Sequence, residues 1–198
     1  MKKDRASRTL VPPSFFAKAM LPFALPILLT FALVILVGES WPRNLVPGSG
    51  LKLAGFLATV VTSLLVWRFT ARGVADPRAH KMAALLCGMT GLMGWPVWSV
   101  GIMPSINGFS LGPEQTARMA LERTEVTTVS RSNKLNHWAW LQPDRLDSPV
   151  QAGRYFIPEG VYQEWSSLQP AEVTVTFASG MLGAQVVTGY GAEDPQLP

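Results

Sequence analysis

The sequence predicts a membrane α plus small β protein: three transmembrane helices followed by a five-stranded OB-like or SH3-like β domain with one short helix. Three observations predict this. The first half of the chain holds three apolar runs, Met20–Gly38, Leu51–Phe69 and Met82–Pro104. Each is close to the roughly 20 residues a helix needs to cross a bilayer's hydrocarbon core. The second half changes to period-two alternation, the pattern of half-buried strands. The charge divides at the same place. Residues 1–104 carry eleven Lys/Arg against three Asp/Glu, and residues 105–198 carry six against ten.

The chain of 198 residues therefore divides into a basic N-terminus over 1–19, a three-helix region over 20–104, a linker over 105–120, a β domain over 121–190 and a tail over 191–198. Charged residues make up 15% of the chain, well under the roughly 25% of soluble domains, as expected when half of it sits in lipid. Cys87 is the only cysteine, which excludes an internal disulfide and a thiolate metal cluster. The basic excess lies in short segments beside apolar runs, where positive-inside sorting puts it, so nucleic acid is not an expected partner.

The first run follows Lys2, Lys3, Arg5, Arg8 and Lys18 and has no A-x-A site after it. It reads as an uncleaved signal anchor. Pro22 and Pro26 fall in its first turns. The connection to the second run holds Arg43, with Lys52 at that run's start, whereas the second connection and its edge hold Arg68, Arg72, Arg78 and Lys81. That bias places the N-terminus and the 70–81 loop in the cytoplasm and the C-terminal domain outside, with the chain integral to the plasma (bacterial inner) membrane. Trp41, Trp67, Trp95 and Trp98 stand at interface positions. The third run is the weakest, because Gly88, Gly91, Gly94, Gly101 and Pro96 lower its helix propensity. If it lay along the interface, the domain would be cytoplasmic. Ala83, Cys87 and Gly91, with Ala84 and Gly88 beside them, form a candidate helix-packing face for this chain's own helices or a second copy. No ionisable group lies in the middle of any run, which argues against a transport pathway built from this chain alone.

In the second half, Thr124–Arg131 reads as a strand, Ser132–Asn136 as a hairpin loop using Asn133 or Asn136, and His137–Gln142 as the next strand with Trp138 and Trp140 on one face. Arg154–Ile157 is a short strand. Pro158–Leu168 is a helix whose apolar face is Val161, Trp165 and Leu168. Glu172–Ser179, reading EVTVTFAS, alternates cleanly, and Ala184–Thr188 is a last strand. A helical turn is expected in the linker at Gly112–Leu121. The order β-β-β-α-β-β fits a small barrel of the OB type.

The stretch from Gly153 to Val187 resembles the C-terminal part of uncharacterised small bacterial inner-membrane proteins with a β-barrel-like domain. Tyr162, Pro170, Val173, Val175, Gly180, Leu182 and Gly183 carry the resemblance, and Ala171 stands where those proteins have Gly. It implies a fold and no activity.

Catalytic motifs are missing: there is no GxSxG, P-loop or HExxH. Asp144 and Asp147 in PDRLDSP, with Glu159 and Glu164, are the carboxylates an enzyme would use, and His137 lacks a nucleophile signature. No cofactor and no metal are expected. The candidate interaction face is aromatic and basic: Trp138, Trp140, Arg154, Tyr155 and Tyr162. The expected function is a non-catalytic accessory or scaffold protein whose outer domain contacts another membrane or envelope protein or a second copy. An envelope enzyme and a subunit of a transport complex are the alternatives.

Overall fold

The computed structural model describes residues 13–37, 44–72, 74–128, 135–145 and 148–192. Its contacts divide into a helical unit that ends at Ile102 and a β unit that also takes in the described residues within 34–52, including residues 34–37, the last turn of a helix.

The helical unit contains α1 (Pro13–Ala19), α2 (Leu21–Val37), α3 (Leu51–Ala71) and α4 (Pro77–Val97). Helix α1 lies in the segment expected to be only a basic flank. Asp76 caps α4 by accepting the Arg78 N–H at 2.9 Å, and Pro77 follows at the first helical position. This cap-and-proline signal starts the helix five residues before the apolar run. Pro96 lies inside α4, and the chain then passes through a π turn at Trp98–Ile102 into α5 (Met103–Gly108). Helix α3 and the continuous stretch from Pro77 to Gly108 are long and apolar enough to cross a membrane, while α2 is a shorter apolar helix of 17 residues. At 1.5 Å per residue α2 measures about 25 Å against a hydrocarbon core of about 30 Å.

Three of the four glycines that weakened the third run, Gly91, Gly94 and Gly101, are contact points, whereas Gly88 faces open space. A Cβ on Gly91 would meet the Ser63 hydroxyl on α3, and one on Gly94 would sit 2.7 Å from the Pro22 carbonyl oxygen on α2. Small residues here let backbones approach closely, the usual device where lipid removes the hydrophobic drive between helices. Hydroxyls bond to carbonyls: Thr59 donates to Gly55, and Thr90 lies 2.9 Å from the carbonyls of both Ala19 and Leu86. The Thr30 and Thr70 hydroxyls have no such partner among the described residues.

The β unit contains β1 (Leu111–Thr128), β2 (Leu135–Pro143), β3 (Gly153–Ile157), α6 (Glu159–Leu168), β4 (Glu172–Gly180) and β5 (Gln185–Ala192). They form one five-stranded antiparallel sheet in the order β3-β2-β1-β4-β5. The linker over 105–120 and the helical turn at Gly112–Leu121 are corrected: residues 103–108 are helical and β1 begins at Leu111. The Arg-Met-Ala-Leu-Glu-Arg stretch favours a helix locally. It is a strand because its first half pairs with β4 and its second half with β2, and the two ladders outweigh local propensity. Asn136 belongs to β2 rather than to a loop, and Asn133 lies outside the described residues.

Met119, Leu141, Tyr155, Ile157, Trp165, Val173, Val175 and Phe177 make the core. Helix α6 buries Trp165 against it, but Leu168, expected on the same face, is 65% exposed. Leu168 is followed by Gln169 in the left-handed region at φ 46°, which ends the helix one turn past Trp165. Asn107 on α5 is fully buried. Its Oδ1 accepts the N–H groups of Leu182 and Ala184, and its Nδ2 donates to the Ala184 carbonyl. This side chain pins the β4–β5 turn, together with the Asn107 carbonyl, which accepts the Met181 N–H at 2.9 Å. The 44–46 segment also docks here: Leu45 bridges Val186, Val46 N–H donates to Gln185, and Val187 N–H donates to Asn44.

Candidate functional site

Before residue 121, the odd-numbered residues of β1 face the core: Ala117, Met119 and Leu121 all pack on it. A register shift between Leu121 and Arg123 inserts one extra residue, Glu122. Such a bulge reverses which parity faces out. Thr124 now meets Ser166 of α6 at 3.5 Å, so Arg123, Glu125 and Thr127 lie on the opposite face. On β2, His137, Ala139 and Leu141 are buried, which leaves Trp138 and Trp140 outward. On β3, Tyr155 and Ile157 are buried, which leaves Arg154 and Phe156 outward.

The ladders set these side chains in rows. Glu125, Trp138 and Phe156 form one row across three strands, and Arg123, Trp140 and Arg154 form the next. The Arg154 guanidinium lies 4.2 Å from the Trp138 ring centre, and that of Arg123 lies 4.8 Å from Trp140. Trp138 meets Phe156 edge-on at 5.5 Å. The Trp138 indole N–H donates to Thr127 Oγ1 at 2.8 Å. The Glu125 carboxylate accepts from Trp140 Nε1 at 3.1 Å and from Arg154 Nη2 at 3.3 Å. Each cation–π contact contributes about 0.5–1 kcal/mol at an exposed site. The half-exposed Arg154–Glu125 pair adds at most about 1 kcal/mol. The value of the lattice lies in order: both indoles are held in one rotamer, so a partner binding there has little side-chain entropy left to remove.

Of the five residues expected on one face, the structure brings Trp138, Trp140 and Arg154 together and separates the other two. Tyr155 alternates with Arg154 and is buried in the core, where its hydroxyl donates to the Gln151 carbonyl. Tyr162 sits on α6, half-buried, with its ring 4.7 Å from that of His137. Tyr155 lies on the opposite side of the sheet because side chains alternate along a strand, and Tyr162 lies there because α6 packs on the core face. Burial pushes the phenols of Tyr155 and of the core-packed Tyr190 up, so both stay neutral donors. Arg123, Glu125 and Thr127 were missed, and Phe156 was left out of the expected face. Arg123 fell before the expected start of the first strand, and the bulge that turns it outward has no signal in the local sequence.

The remaining candidates fall elsewhere. Asp144 lines an open polar cleft of about 600 Å³ with Arg118, Arg145 and Thr174, while Asp147 lies outside the described residues. Glu159 accepts from Gln163, and Glu164 is exposed on α6. No group of His, Cys, Asp and Glu among the described residues could hold a metal. In the helical unit, Ala83, Cys87 and Gly91 are buried, Ala84 is half-buried, and Gly88 is exposed with open space around it. Comparison with protein-family models, curated proteins and solved structures finds no match to this chain.

Proposed function

We propose that this chain is an integral membrane accessory protein whose β domain binds another envelope protein through the Trp138–Trp140–Arg154 face. The supporting observation is the pre-ordered lattice of two tryptophans and two arginines on a solvent-facing sheet. Trp and Arg are the residue types that dominate binding hot spots. The fold reading is OB-like: β1 pairs on both sides, one helix joins β3 to β4, and Tyr190 on β5 donates to the Phe156 carbonyl on β3 at 2.8 Å. By analogy of fold, the outer face of the second and third strands is where such barrels bind ligands. Trp138, Trp140 and Arg154 stand there. The likeness of residues 153–187 to small bacterial inner-membrane proteins belongs to the same reading.

The proposed topology has three crossings, a cytoplasmic N-terminus and an extracytoplasmic β domain. The basic flanks support its orientation, and the bridge from Leu45 to Val186 supports its last two crossings. A segment that pairs with β5 must share a side of the membrane with the β domain. Helix α3 leaves that side, so the stretch from Pro77 to Gly108 has to return to it. This parity argument takes α3 as a span and bears on the segment that hydropathy reads least well, without using that segment's own hydropathy.

Two experiments test the reading. Side-specific reporters inserted after Pro47 and after Pro198 are expected to report the same, outer side; opposite sides would end the three-span topology. Full-length protein isolated in mild detergent is expected to carry a partner that is lost from the Trp138→Ala/Trp140→Ala variant with its thermal midpoint nearly unchanged. A partner that stays bound to that variant, or a bare monomer in every detergent, would remove the interaction face.

A further inference from the structure

We propose that a cleft at the shared end of α3 and α4 holds the phosphate group of an anionic phospholipid. The inference rests on the membrane reading above. The cleft is open, about 460 Å³ in volume, and lined by Leu64, Trp67, Arg68, Ala71, Arg72 and His80. Leu64, Trp67, Arg68 and Ala71 lie along the last two turns of α3, at the three- and four-residue spacings of one helix stripe, and Arg72 follows directly after its end. Along that stripe the chemistry changes in order: hydrocarbon at Leu64, an amphipathic ring at Trp67, then guanidinium groups at Arg68 and Arg72. Leu64 to Arg72 is about 12 Å of helix rise. That is the sequence of chemistries met along a phospholipid from upper acyl chain to phosphate.

The charge balance points the same way. Asp76 is the only carboxylate between residues 44 and 108, and its side chain caps α4. Among the described residues neither Arg68 nor Arg72 has an ion-pair partner. The wall is fixed in place: the Trp67 indole N–H donates to the His80 carbonyl at 3.3 Å, and the His80 Nε2 lies 2.7 Å from the Val74 carbonyl. Two guanidinium groups on one side of a cleft match a phosphate's paired acceptors. Basic pockets between membrane helices select anionic headgroups for this reason. A free phosphate would use the two arginines and leave the Leu64 and Trp67 wall unoccupied, so the occupant is a lipid.

The test uses full-length protein in nanodiscs of phosphatidylcholine containing a minor fraction of phosphatidylglycerol. Native mass spectrometry counts the lipid that stays bound. Wild type is expected to retain phosphatidylglycerol beyond its share, and the Arg68→Gln/Arg72→Gln variant to lose that preference by about tenfold or more, given the attraction of each basic side chain to anionic lipid. The Arg78→Gln/Lys81→Gln variant removes equal charge outside the cleft and is expected to keep the preference. Equal loss in both variants, displacement of the lipid by excess inorganic phosphate, or no preference in wild type would overturn the site. Extraction of the protein from its native membrane by alkaline carbonate would instead overturn the membrane reading itself. A protein that resists carbonate yet shows no lipid preference defeats only this inference.

Discussion

In the helical unit, close contact is made by removing side chains; in the β unit it is made by filling space with them. Gly91 and Gly94 let α4 approach α3 and α2 until a single added carbon would collide. The β unit instead fills the space between its sheet and α6 with Trp165, Tyr155 and Phe177. The difference follows from the surroundings each unit is read to meet. Lipid tails are as apolar as leucine, so burying a large side chain between membrane helices gains little and backbone proximity gains more. In water the burial of aromatic area is the main drive. A domain of about ninety residues has few such side chains to spend.

The sharpest way to break the comparison is at Trp165, which is 1% exposed and meets Tyr190 edge-on at 5.7 Å. Trp165→Ala is expected to cost the β unit about 3–5 kcal/mol. The readout is loss of its near-ultraviolet circular dichroism and of protease resistance after Gly108, with the helical fragment still intact. In the helical unit the corresponding change adds volume. Gly94→Leu is expected to cost about 1–3 kcal/mol through its clash with the Pro22 carbonyl, read as a lowered midpoint in detergent, whereas Gly88→Leu is expected to have no effect. Equal tolerance at both glycines would mean that the α2–α4 contact is not the close one described.

A smaller effect tests whether the outer lattice contributes order rather than stability. A double-mutant cycle on Arg154→Ala and Glu125→Gln is expected to give a coupling of about 0.5–1 kcal/mol in the β unit's unfolding. A coupling several times larger would make the lattice part of the fold instead of a face held ready. The mildest perturbation is pH. The folded β unit holds Tyr155 and Tyr190 neutral by burial, while the unfolded chain ionises them near pH 10. Their contribution is therefore complete below about pH 10 and declines as pH rises beyond it. Thermal midpoints between about pH 9 and 11 are expected to fall, and Tyr190→Phe to flatten the fall.

Legibility differed between elements for definite reasons. Glu172–Gly180 was readable because β4 alternates along its core stretch, with Val173, Val175 and Phe177 in and Thr174 and Thr176 out. Residues 111–120 were not readable, since their strand form depends on partners about 50 to 70 residues later in the chain. Trp138, Trp140 and Arg154 could be named from sequence. That Tyr155 would leave them for the core follows from alternation alone, once the strand is known to have one buried face.

By itself, the sequence determined what local composition and period can encode. It set the three apolar runs, the basic excess around them, the β-β-β-α-β-β order and the aromatic and basic residues of the outer face. The tertiary structure alone decided the rest. It made a linker into the central strand, turned Gly91, Gly94 and Gly101 of the third run into contact points, used a one-residue bulge to send Arg123 and Glu125 outward, and laid the 44–46 segment on β5. Each of these depends on contacts between residues far apart in the chain. A local pattern carries the preferences of single residues, but not the pairing energy that overrides them.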